Sequence, residues 1–279
     1  SFDQGMDYAV SLVETNLASR MTEGTVRAFQ QATSLHMVPI NLIGVAISTA
    51  VFPNLTERLS EGRNDLFMSE LRSVIRVIVW LALPVAVITF FTRGYLIGFL
   101  KNGGDVLMAG LLGVLAIAIL FRSIYHIAAR SFYAQQDTKT PLYISIVAIT
   151  LNIVLAIWFT FSLKLGAYGL ASAQAIVAFA EVAILFVAME KRLKGVFNLS
   201  FWSAMLRMAS AAGFMSLVSY TLVSMFPLGV TDRSFFSSLP KFIFIVVVSL
   251  AVYVAICYAM KLSETKPVVS RLRYFFFRM

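Results

Sequence analysis

Long apolar runs alternate along the chain with short polar breaks marked by glycine or proline. A helix needs about 20 apolar residues to cross the hydrocarbon core of a bilayer. Seven runs come close to or exceed that length: residues 25–51 (B), 73–91 (C), 106–134 (D), 141–163 (E), 167–189 (F), 205–226 (G) and 240–260 (H). A weaker run, A, covers residues 3–21. In lipid each backbone N–H and C=O must be satisfied within its own segment, so the runs predict helices. The expectation is an all-α, polytopic membrane bundle of about eight spans, with no β-sheet and no soluble domain. Run D is longer than the hydrocarbon core requires and predicts a helix that projects into the cytoplasm. Pro53 is expected to end B, Gly103-Gly104 to separate C from D, and Pro141 to open E in its first turn. Gly166 and Gly169 should turn the chain between E and F. Pro39 and Pro84 lie within spans and predict kinks. The polar segment 54–65 reads as a short surface helix.

Composition strengthens this picture. Of the 279 residues 59% are hydrophobic and 13% charged, and the mean hydropathy is +0.83. Soluble domains carry about 25% charged residues, so lipid must solvate most of this surface. The net charge of +9 would point to nucleic acid in a soluble protein. Here the basic residues fall between apolar runs, where they act as topology signals and contacts to membrane lipids; nucleic acid is not an expected partner. The loops after B, D, F and H hold fourteen Lys and Arg, including Lys191, Arg192 and Lys194, against seven in the loops after A, C, E and G. The richer set is expected in the cytoplasm, with the C-terminus. The basic-aromatic tail 271–278 reads as an interfacial anchor. One cysteine, Cys257, makes neither an intrachain disulfide nor a metal cluster. No signal peptide is expected, because no short apolar core follows a basic start. The opening on Ser1 and the short first run read as a fragment of a longer protein.

Polar residues inside spans cost free energy and carry the candidate chemistry. On B, Arg27, Gln30, Gln31, Ser34, Asn41 and Ser48 lie within about 60° of Arg27 at ~100° per residue. The stripe either lines a wet cavity or supplies interhelical hydrogen bonds. His36 falls on the opposite face of a straight helix and reads as structural. On D, Arg122, His126 and Arg130 recur at i, i+4 and i+8. A guanidinium well inside a span must face protein or water; it suits a diphosphate or carboxylate, or else a buried ion pair. Glu14 in A, beside Thr15 and Asn16, could pair with Arg27 or Arg122 or bind a coupling cation. Glu181 in F stands alone among apolar residues and reads as protonated or as one half of an interhelical pair. There is no metal-ligand spacing, glycine-rich phosphate loop or nucleophile elbow, so neither an enzyme nor a cofactor is expected.

Two segments carry a resemblance. Residues 31–55, QATSLHMVPINLIGVAISTAVFPNL, resemble the P-x-x-(L/I)-(F/I)-G-V-A-(L/I)-(S/G)-T-x-(L/V)-(L/F)-P-x-L helix of the MurJ/MviN lipid II flippases. Residues 130–141, RSFYAQQDTKTP, resemble that family's F-Y-A-x-x-D-T-(K/R)-T-P cytoplasmic turn. The similarity runs from residue 4 to the C-terminus. It implies the fold of the multidrug/oligosaccharidyl-lipid/polysaccharide exporters, in which two six-helix lobes enclose a cavity and two further helices form a lipid-facing groove. On that map residues 1–190 are the second lobe, 191–262 the extra pair and 263–279 a cytoplasmic tail. The implied function is translocation of a lipid-linked peptidoglycan precursor across the bacterial cytoplasmic membrane by alternating access, with no bond made or broken. Export of another polysaccharide-lipid or drug, or a scaffold role for cell-wall enzymes, are the alternatives. Where family members carry an acidic-basic pair before the proline of B, this chain has Thr33 and Ser34. The expected substrate residues are Arg27, Gln30, Gln31, Ser34, Asn41, Arg122, Arg130 and Glu14, with no metal.

Overall fold

The computed structural model describes residues 2–20, 24–100, 104–228 and 235–266. Among them the secondary structure is helical throughout, with no strand. The elements are α1 (Phe2–Ser19), α2 (Thr25–Pro39), α3 (Ala46–Ser60), α4 (Asn64–Leu100), α5 (Val106–Ala134), α6 (Lys139–Ile157), α7 (Ala167–Arg192), α8 (Leu199–Met225) and α9 (Phe235–Ala259). A π-helical turn, Ile40–Val45, joins α2 to α3, and a second one, Trp158–Ser162, extends α6. With α2–α3 taken as one rod, seven helices are long and apolar enough to cross a membrane. The first helix, α1, has 18 residues and is not one of these seven. The basic-aromatic tail 271–278 lies outside the described residues.

The hub is α5. It packs against α2, α3, α4 and α7, while α6 leans on α7 and α1 on α6. On the far side α8 lies along α4, with α9 against both. Asp105 starts α5 by accepting the Met108 N–H at 3.0 Å, and Asn198 starts α8 through the Phe201 N–H at 2.9 Å; both are side-chain caps that satisfy an orphan donor.

Three boundaries differ from the sequence reading. Pro53 does not end span B: α3 runs through it to Ser60, and no separate surface helix covers residues 54–65. Fully buried Leu55 packs with Phe67 and Leu71 of α4, and that burial carries the helix past the proline. Span C is 37 residues long, because its amphipathic N-terminal turns bury Phe67, Leu71, Val74 and Ile75 while Arg72 and Arg76 stay at the edge. Gly169 lies inside α7 rather than in the turn. A Cβ there would stand 2.8 Å from Phe159 C, so the residue serves close packing against the end of α6.

The two motif segments have physical roles. Pro39 lacks an N–H and crowds the preceding turn, and the π-helical turn follows directly on it. Within that turn Gly44 meets α5 so closely that a Cβ would lie 2.7 Å from Ser123 Cα and 3.0 Å from Ser123 O. Backbone atoms cannot step aside as a side chain can. Gly44→Ala should therefore cost about 1–3 kcal/mol by overpacking, read as a lower midpoint of thermal unfolding in detergent. An unchanged midpoint would mean that the α2–α5 contact is slack.

At the α5–α6 turn, Asp137 accepts the N–H groups of Lys139 and Thr140, each at 3.0 Å, and the Thr140 hydroxyl at 2.6 Å. It also pairs with Arg192 at the end of α7. Burial pushes the Asp137 carboxyl up, but the Thr140 and Arg192 hydrogen bonds and the Arg192 charge outweigh it and hold the pKa at about 2. The folded value lies below the unfolded one, so this stabilisation is present above pH ~4 and lost as pH falls towards 2. Asp137→Ala should cost roughly 1 kcal/mol at neutral pH, the worth of a helix cap. Its unfolding midpoint should converge on that of the unsubstituted protein near pH 2. A gap of constant size across that range would contradict this account.

Candidate functional site

A cavity of about 460 Å³ opens between α1, α2, α5 and α7. Its wall takes Ser11, Glu14 and Thr15 from α1, Gln30, Thr33, Ser34 and His36 from α2, Arg122, Tyr125 and His126 from α5, and Gln174 from α7, with Phe29, Met37 and Ile40 as its apolar part. The lining is rich in donors. Its one carboxylate, Glu14, is 3% exposed and accepts a hydrogen bond from Gln174 Nε2 at 2.6 Å.

Of the residues singled out from sequence, Glu14, Gln30, Ser34 and Arg122 line this cavity. Arg27, Gln31 and Asn41 do not; they lie exposed on the outer side of α2 and the π-helical turn. Ser48 is buried and donates to Gly44 O at 2.6 Å. Arg130, two turns beyond Arg122 on α5, is half-buried and outside the lining. The polar stripe of span B is thus split: its edge borders the cavity and its centre faces outward. His36 sits at the cavity instead of behind it, because the face of α2 turned towards α5 is the one holding Ala28, Phe29, Ala32, His36 and Ile40. A helical wheel identifies such a face but cannot show which side of it the neighbouring helices leave open.

Arg122 lies half-buried at the wall. Its Nη1 donates to Glu181 Oε2 on α7 at 3.4 Å. Glu181 Oε1 accepts from the Ser145 hydroxyl of α6 at 3.1 Å. Ser145 in turn lies 3.1 Å from the Tyr125 hydroxyl. Sequence reading missed Gln174, Tyr125 and Ser145. A glutamine in the Ala-rich start of span F was the available signal for Gln174; nothing in sequence joined Tyr125 to Ser145.

A second space, about 710 Å³ and almost entirely apolar, lies between α4, α5, α7 and α8. Phe121, Ile124, Phe179, Val182 and Phe186 are among the side chains that line it, with Glu190 and Trp202. Phe121 and Arg122 are adjacent in sequence, so α5 presents one space on each side. Among the described residues no group of three or more His, Cys, Asp or Glu is placed to hold a metal ion.

The family model described as "Lipid II flippase MurJ" matches residues 2–240 of this chain. The chain belongs to the MurJ family. A probable lipid II flippase MurJ of Thermotoga maritima is 27% identical over 280 residues, covering 97% of this chain and 54% of that protein. The lipid II flippase MurJ of Burkholderia cenocepacia is 32% identical over 141 residues, covering 48% of this chain and 27% of that protein. Among solved structures, a MurJ in an inward closed conformation superposes with a TM-score of 0.68 at 22% identity, over 90% of this chain and 53% of that one. The Vibrio cholerae transporter VcmN, of the MATE family, does so with a TM-score of 0.58 at 18% identity, over 97% and 67%. At these identities the structural likeness speaks for the fold. The chain spans about half the length of the MurJ protein of Thermotoga maritima. Thr33 and Ser34, the positions at which the resemblance implied a charged pair, both line the cavity, and the arginine at this wall comes from α5.

Proposed function

We propose that this chain supplies half of a transporter that flips a lipid-linked peptidoglycan precursor, lipid II, across the bacterial cytoplasmic membrane. The observation that carries this reading is Arg122, a guanidinium set within a membrane span at the wall of a donor-rich cavity. A diphosphate is the anion that such a planar, permanently charged group recognises best. Membership of the MurJ family and the printed names of the relatives support lipid II as the molecule that bears it.

In this reading α1–α7 form one lobe, α8 and α9 the additional pair, and translocation proceeds by alternating access without covalent chemistry. The head group occupies the polar cavity, and the polyprenyl tail lies in the apolar space beside α8. The exposed polar face of α2, with Arg27, Gln31 and Asn41, borders the water-filled path opposite the other lobe, since such groups do not face lipid without cost. The excess of Lys and Arg in alternate loops sets the turn after α5 and the C-terminus in the cytoplasm. Expression of the complete transporter that contains this chain should restore growth to a bacterium depleted of its lipid II flippase. Failure to do so with normal expression and membrane insertion would favour another lipid-linked saccharide as cargo, or a scaffold role.

A further inference from the structure

The contact between Arg122 and Glu181 is weaker than two fully committed partners would make. It is a single bond of 3.4 Å, whereas a charge-assisted N–H···O bond is about 2.7–2.9 Å and arginine often engages both carboxylate oxygens. Exposure is also uneven: the Arg122 side chain is 25% accessible and Glu181 4%. A guanidinium has five N–H donors, and the hydrogen bond to Glu181 occupies one of them. Arg122 lines the polar cavity, whereas Glu181 is buried and lines neither that cavity nor the apolar space to which its neighbours Phe179 and Val182 contribute. Glu181 has independent support, because Ser145 donates to its other oxygen at 3.1 Å and Ser145 is itself linked to Tyr125. The carboxylate therefore keeps a hydrogen bond when the arginine turns away.

We infer that Glu181 is the resident counter-anion of Arg122. It parks the guanidinium at the wall while the cavity holds no anion, and it surrenders the guanidinium to a diphosphate group that enters. Glu181 is thus a positioning residue and a competitor: it lowers affinity for the anion and, by taking Arg122 back, speeds release. Ser145 sets the Glu181 carboxylate in place for that return. This inference rests on the reading that the cavity takes an anionic head group.

The test uses the protein in nanodiscs of zwitterionic lipid, with undecaprenyl diphosphate as the probe and undecaprenol as the control for tail binding. Glu181→Gln removes the competing charge and should tighten diphosphate binding about tenfold, equivalent to about 1.4 kcal/mol, without changing undecaprenol binding. In a transport assay the same variant should lower both the half-saturating concentration and the turnover rate, whereas a purely structural defect would raise the first. Glu181→Asp should lie close to the unsubstituted protein. Ser145→Ala, which keeps every charge, should shift affinity in the same direction as Glu181→Gln but by less, and it provides the test if Glu181→Gln does not fold. Weaker or unchanged diphosphate binding in Glu181→Gln, or in Ser145→Ala where that is the variant measured, overturns the counter-anion role. If Arg122→Ala still loses the diphosphate, that failure leaves the cavity reading standing; if Arg122→Ala binds it normally, the cavity reading falls.

Discussion

Arg122→Ala should abolish complementation by the complete transporter that contains this chain, with the protein still inserted in the membrane. A guanidinium inside a span is unfavourable by a few kcal/mol on insertion scales, and it cannot shed its proton to escape that cost. Its position therefore needs an offsetting interaction. Glu181 provides part of one through its 3.4 Å contact, and in the proposed function an anionic substrate in the cavity provides the rest. Truncating one partner of a hydrogen-bonded charge pair typically costs 2–5 kcal/mol of binding, roughly 30- to several thousand-fold in Kd. Arg122→Lys keeps the charge but loses the planar fork and should restore growth only in part. Arg122→Ala also leaves Glu181 as a buried charge without its cation, which threatens folding. The double variant Arg122→Ala/Glu181→Gln removes that strain, and it should recover stability but not growth. If growth returned with stability, Arg122 would be a structural residue and the substrate reading would be wrong.

The fold was legible because membrane spans are written in run length. Span D was read as residues 106–134, and α5 occupies those residues; an apolar run capped by Asp105 and ended near the Gln135-Gln136 turn leaves little room for error. The boundaries that were misread follow a different logic. The apolar count for span C began only after Arg72, although α4 continues outward on an amphipathic face anchored by Phe67 and Leu71. Pro53 looked like a stop because local propensity says so, while the burial of Leu55 against α4 is a tertiary fact that no local signal carries. Asn198 could have placed the start of α8 seven residues before the apolar run at 205, because Asn ahead of a helix is a capping signal.

The candidate site was legible in its residue types and much less so in its geometry. Intramembrane cost picked out Glu14, Gln30, Ser34 and Arg122, which the fold gathers around one space. It also picked out Arg27, Gln31 and Asn41, which the fold turns outward. Helical periodicity assigns residues to a face, but whether that face meets a cavity depends on how α1 and α5 are docked around α2. The tyrosine–serine–glutamate chain behind Arg122 joins α5, α6 and α7, and pairings across three helices have no sequence period.

Arg76→Ala should be among the most destabilising single substitutions at the end of the bundle where α9 finishes. Arg76 of α4 meets Glu264, just beyond α9, at 2.6 Å through Nε, and its Nη2 donates to Glu264 Oε2 at 3.1 Å and to the Ser263 hydroxyl at 2.9 Å. Nε lies close to the carboxylate without making a hydrogen bond, so the pair is held by the charge-assisted Nη2 bond and by the proximity of the two charges. The Glu264 side chain is 6% exposed and that of Arg76 22%, and Leu262 and Thr265 beside them are buried. The pair thus ties the end of α9 to α4, reinforcing the Tyr253 hydroxyl that donates to Trp80 O at 3.1 Å. Removing the arginine leaves the more deeply buried carboxylate uncompensated. Breaking such a pair costs about 3–5 kcal/mol, and the partial exposure of Arg76 sets the expectation at about 3. Glu264→Ala should cost less, because its orphan is the better solvated guanidinium. Replacing both with apolar residues, Arg76→Met/Glu264→Leu, should cost less than Arg76→Ala alone, since no charge is then stranded. Unfolding midpoints of the unsubstituted protein, Arg76→Ala, Glu264→Ala and Arg76→Ala/Glu264→Ala in one detergent close the cycle. Strict additivity of the two single substitutions would show that the contact couples nothing, and that α9 is held by its apolar face alone.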